Sequence, residues 1–119
     1  METLLDRAHL DRQTFGDADL AREVLALFAE QCARLMPDLV PPRIAGADPA
    51  PEARADLAHT LKGSALGVGA DRVAALAGRL EAALRAGDGE AARGLAPALS
   101  LAVDETLALL SGPAGRPQT

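Results

Sequence analysis

The chain has 119 residues and a formal net charge of −5, and 49% of it is hydrophobic while only 2% is aromatic. That length fits one domain over 1–119, whose core buries roughly two-thirds of the unfolded surface, so no disulfide or metal staple is needed. Eleven Arg and the single Lys62 are scattered among seventeen acidic residues, which argues against the basic face a nucleic-acid binder requires.

Alanine and leucine dominate and Phe15 and Phe28 are the only aromatics, a composition that suits helices and not a sheet. The start, METLLDRAH, carries charges where a signal peptide has its apolar core, and the expected location is cytoplasmic. Residues 10–15 predict a short helix or turn packing on the end of the bundle, with His9 as an exposed spacer. From Asp17 to Met36, apolar residues at Leu20, Val24, Leu27, Phe28, Cys32, Leu35 and Met36 keep helical spacing, and Asp17 is placed to cap the first turn. Cys32 falls on the apolar face and reads as core, not as a nucleophile.

Pro37, Pro41 and Pro42 then interrupt regular hydrogen bonding, and 46–51 reads as a loop or helix start with Asp48 and Pro49 as cap and first turn. The next helix is expected from about Pro49 to Leu66 or Gly67, ended by a tight turn at Gly67-Val68-Gly69. Another follows from Asp71 to Ala86 with Val73, Leu76, Ala77, Leu80 and Leu84 inward and Gly87 as its stop. Asp88 is placed to cap the last helix, which contains Pro97 and turns Leu95, Leu99, Ala102, Val103, Thr106 and Leu110 inward. Leu95–Val103 is too short and too interrupted to span a membrane. Residues 112–119 read as a frayed tail, leaving an ordered core of about 10–111. Four long helices with short connections predict an all-α, antiparallel four-helix bundle with a short additional N-terminal helix, closing its own core as a monomer.

The segment Ala58-His-Thr-Leu-Lys-Gly-Ser-Ala-Leu-Gly-Val-Gly-Ala70 carries the chemistry. At about 100° per residue, Glu52, Ala55, Asp56, Lys62, Gly63 and Leu66 fall within about 60° of His59, with Leu57, Leu61 and Val68 opposite. The imidazole therefore faces outward. Arg54 falls toward the apolar side and is expected to snorkel out near the helix start. Lys62, three residues on, can hold an ammonium beside a group attached to His59. Gly63 lies one turn away on the same face, where glycine costs up to about 1 kcal/mol relative to alanine, and clearance for another molecule is the natural reason. Ser64 faces partly to the core, where it can bond back to the Thr60 carbonyl. Leu66 reads equally as a docking contact or a bundle-edge residue. An exposed imidazole, largely neutral at cellular pH, is a nucleophile competent to attack phosphorus.

His59-Thr-Leu-Lys62-Gly63-Ser64-Ala65, with Gly69-Ala70 after it, resembles the H-x-x-K-G-[SA] signature of histidine-containing phosphotransfer (HPt) domains. The lead-in 10–20 and the helix and turn 79–88 resemble the flanking parts of that family, although the proline-rich stretch 37–51 departs from it. The resemblance implies a phosphorelay carrier. His59 would be the phosphoacceptor, Lys62 the charge partner and Gly63 the clearance residue. The partners it implies are response-regulator receiver domains and a hybrid sensor histidine kinase. Any Mg²⁺ would be supplied by the receiver, with no cofactor or metal bound by this chain. Two other readings compete. A kinase dimerisation domain would carry an acidic residue directly after the histidine, where Thr60 stands, and no Gly-rich ATP-binding segment is present. A non-phosphorylated helical adaptor would use the same face and tolerate loss of the imidazole. A metal site lacks a ligand set of suitable spacing.

Overall fold

The computed structural model describes residues 3–41 and 50–110. Five helices follow one another: α1 (Arg7–Gln13), α2 (Ala18–Leu39), α3 (Pro51–Val68), α4 (Asp71–Arg85) and α5 (Gly89–Leu110). The fold is all-helical. The four long helices α2–α5 form the bundle and α1 lies against α3 and α2, as the helical spacing predicts.

Helix starts are set mostly by aspartates. Asp6 accepts from the His9 N–H, Asp17 from those of Asp19 and Leu20, and Asp88 from that of Ala91, each satisfying donors that a first turn leaves free. α3 starts differently from the expectation. Its N-cap is Ala50 with no side-chain cap, and Pro51 occupies the first turn, where a missing N–H costs nothing. Pro42, the 46–49 loop with Asp48 and Pro49, and the tail 112–119 lie outside the described residues. α4 is capped from a distance, because its Arg72 N–H donates to the Thr3 carbonyl at 2.9 Å and Thr3 Oγ1 donates to Asp71.

Two helix ends correct the sequence reading. α2 runs through Pro37 to Leu39, since a proline in the last turn removes only one late hydrogen bond while Leu39 gains complete burial. Gly67 and Val68 are helical, and only Gly69 turns to φ +84. There the Asp6 N–H reaches the Gly69 carbonyl at 2.7 Å. A Cβ on Gly69 would sit 2.7 Å from the Asp6 oxygen, so this position needs glycine for both its conformation and its neighbour.

The core joins Leu39, Leu61, Leu80, Leu99 and Val73, all fully buried, at about 1.5–3 kcal/mol for each large side chain. Small residues line the seam between α3 and α4, namely Ala55, Ala58 and Ala65 against Ala74 and Ala77, and allow these two helices to pack closely. Cys32, on α2, is buried in the same core as expected, and burial pushes its thiol up to about 11. At the N-terminal end, Leu10 and Thr14 are buried while Phe15 is 89% exposed. Only part of 10–15 therefore packs on the bundle: the turn puts Phe15 and Gly16 at positive φ and directs the aromatic ring outward. His9 also differs from a free spacer. It is half-buried, and its Nε2 is enclosed with no hydrogen-bond partner among the described residues.

Candidate functional site

α3 is flanked by α2 on one side and α4 on the other, and the residues left on its outer strip are those of the motif. His59, Gly63 and Leu66 are exposed and Lys62 is half-buried, so the helix presents His59, Lys62, Gly63 and Leu66 together. Ala55 corrects the wheel: it is fully buried, because α4 packs against that side of the helix as well. Arg54 is a second correction. It does not snorkel but lies 8% exposed, donating through Nε and one terminal nitrogen to the Leu39 carbonyl at 3.0 Å each. The last turn of α2 offers carbonyls without helical partners, and the guanidinium satisfies one of them.

The His59 side chain is 64% exposed, and its Nδ1 lies 3.2 Å from both carboxylate oxygens of Glu81 on α4. Glu81 is itself only 14% exposed and takes Lys62 Nζ at 3.4 Å and Arg85 Nε at 3.1 Å. Burial pushes the Glu81 carboxyl up, but hydrogen bonds from Arg85, His59 and Lys62 outweigh it and hold the group below its usual value. An ionised carboxylate can only accept, so Nδ1 carries the proton, and in the neutral ring Nε2 keeps its lone pair. Nε2 is then the nucleophilic nitrogen of the ring.

Arg85 anchors the arrangement. Besides Glu81 it holds Glu52 at 3.3 Å and Asp56 at 3.1 Å, and the bonds to Asp56 and Glu81 raise its own pKa. Its three carboxylate partners come from both helices. Glu52 and Asp56 are thus engaged and not merely solvated. Lys62 passes over Gly78, where an added Cβ would come within 3.2 Å of the lysine Cδ. By contrast, a Cβ on Gly63 would meet nothing within 4 Å, so its absence is not required by the fold.

On the other flank of α3 a largely apolar groove runs beside α2, lined by Val24, Leu27, Phe28, Gln31 and Arg34 with Ser64 and Val68. Leu27 and Leu66 are among the most exposed large apolar side chains. Among the described residues no group of three or more His, Cys, Asp or Glu is arranged to hold a metal ion, and no helix is long and apolar enough to cross a membrane.

Nothing in the sequence alone marks Glu81, Arg85 and Gly78 as site residues. The i,i+4 spacing of Glu81 and Arg85 is legible as a helix pair, but its placement beside His59 depends on the α3–α4 packing.

These features define an all-helical bundle that displays an exposed, hydrogen-bonded histidine on its surface. The chain belongs to the Hpt domain family, whose model matches residues 23–109, and the family serves phosphotransfer in two-component signalling. No curated protein and no solved structure matches the chain significantly.

Proposed function

We propose that His59 is the phosphoacceptor of a phosphorelay, taking a phosphoryl group from the aspartyl phosphate of a receiver domain and passing it to another. The observation that carries this reading is the 64% exposed side chain whose Nδ1 is held by Glu81, which leaves Nε2 as the nitrogen available for attack. Nε2 attacks phosphorus and the receiver's carboxylate leaves; the reverse step returns the group to an aspartate. Lys62, already beside the ring, offsets the charge of the phosphoryl group, a surface effect of about 0.3–1 kcal/mol. Gly63 gives the receiver's loops room, and the groove along α2 offers that same partner an apolar surface against which to dock.

A receiver supplies the Mg²⁺ and most of the positioning that phosphoryl transfer needs, so this chain acts as a carrier and draws nothing from ATP. A hybrid sensor kinase and a response regulator are the partners this role requires. The test is transfer from a labelled phosphorylated receiver to the wild type and to His59→Gln. Acid-labile, base-stable label on the wild type and none on the mutant, with unchanged helical content, is the expected outcome. Equal labelling of both proteins sinks the assignment. Binding of receivers without label favours the adaptor reading.

A further inference from the structure

A phosphohistidine is useful only if its ring can leave as a neutral imidazole, and that depends on the nitrogen not bonded to phosphorus. When the Nε2 lone pair forms the N–P bond, the P–O bond to the aspartate breaks and its electron pair departs with the carboxylate. The ring then carries a positive charge, with the proton still on Nδ1. In the onward step a receiver carboxylate attacks phosphorus and the N–P electron pair returns to Nε2. If Nδ1 has kept its proton, neutral imidazole leaves; if it has lost it, an imidazolate must leave, which is a much poorer leaving group.

We infer that Glu81 is a positioning residue that keeps the proton on Nδ1 of phosphorylated His59, so that the carrier remains a ready donor across the cellular pH range. This rests on His59 carrying the phosphoryl group. Both Glu81 oxygens lie 3.2 Å from Nδ1, on the ring edge away from Nε2, so the carboxylate faces the ring's charge without occupying the phosphoryl position. Arg85 holds Glu81 through Nε while its two terminal nitrogens are tied to Glu52 and Asp56. The carboxylate is therefore fixed even when Lys62 turns from Glu81 toward the phosphoryl group.

The charged groups around the ring are Glu81 and Arg85 from α4 and Lys62, Asp56 and Glu52 from α3; from α2, Arg34 lines the groove beside Ser64. Of these, Glu81 is the anion in hydrogen-bond contact with Nδ1.

Glu81→Gln separates charge from hydrogen bonding, because the amide oxygen still accepts from Nδ1–H while the anion is gone. Phosphoramidate, a small donor that phosphorylates histidine without a partner, loads both proteins. Phosphorus and nitrogen NMR then follow the ring proton as pH is raised. The wild type is expected to keep that proton to a pH higher by about 0.5–1 unit than Glu81→Gln, a partly screened carboxylate effect. Onward transfer to an unphosphorylated receiver at about pH 8 should fall about 3–10-fold in the variant, the population change that such a shift produces, and recover near pH 6. Superimposable titration curves overturn the inference, whatever the receiver assay shows. A retained shift with no transfer from the wild type instead overturns the phosphorelay reading and leaves the proton-holding role of Glu81 standing.

Discussion

Two arginines close the two flanks of the histidine helix, and they do so in opposite ways. Arg54, on α3 itself, is buried and bonds the last carbonyl of α2. Arg85, on α4, is exposed and bonds three carboxylates of which one holds His59. A buried guanidinium is retained only where its hydrogen bonds are complete, and removing it leaves an acceptor without its partner. An exposed guanidinium competes with water for each partner, so its net contribution to folding is small. The α2 flank is thus joined by a structural bond, and the α4 flank by a network that organises the imidazole.

The largest test of this contrast is Arg54→Ala. It should lower stability by about 2–3 kcal/mol, the cost of losing charge-assisted bonds to a buried carbonyl, with the geometry of His59 unchanged. Urea unfolding measures the first and nitrogen NMR of the imidazole the second. A loss below about 0.5 kcal/mol would mean that water replaces the guanidinium at no cost, and the distinction between the flanks would fail.

Gly63 tests the outer strip between them. Since a Cβ there meets nothing within 4 Å, Gly63→Ala should stabilise the isolated chain by about 1 kcal/mol through helix propensity alone. The larger Gly63→Leu should leave loading by phosphoramidate intact but slow transfer from a receiver by about tenfold, equivalent to about 1.4 kcal/mol. Equal receiver rates for Gly63→Leu and wild type would remove the clearance role and leave that glycine unexplained.

Much of this arrangement is legible in the chain, and the exceptions have a common cause. Helical spacing places Leu61, Leu80 and Leu99 in the core, Asp17 and Asp88 mark two of the helix starts, and the phase of His59 puts it outside. A wheel, however, treats a helix as having one neighbour. α3 has two long neighbours, so Ala55 is buried although it lies near His59 in phase. Arg54 is buried because the end of α2 supplies an acceptor that no local pattern reveals. Glu81 stands 22 residues from His59. Its role emerges only when the turn at Gly69 brings α4 back along α3 and small alanines let the two helices approach. Local periodicity determines which side of a helix is apolar; which polar groups meet across a seam is decided by packing.

The smallest expected effect on folding is the most discriminating for the site. Arg85→Gln removes one donor from Glu81 and loosens the ties to Glu52 and Asp56. Because these pairs are exposed, thermal unfolding should scarcely move, and added salt should not enlarge the difference. The Glu81 carboxyl should nonetheless respond. Burial already pushes it up, and Arg85 provides the foremost of the hydrogen bonds that hold it down. Without that bond its titration, followed by carbon NMR, should move upward toward the ordinary glutamate range, and the contact with Nδ1 should become less populated. If Arg85→Gln instead lowers the melting temperature as much as Arg54→Ala does, the network is a clamp on the bundle. The two arginines would then differ in exposure and not in purpose. If stability holds while the Glu81 titration shifts, the α4 flank serves the imidazole, and its carboxylates are arranged for the chemistry of the ring and not for the fold.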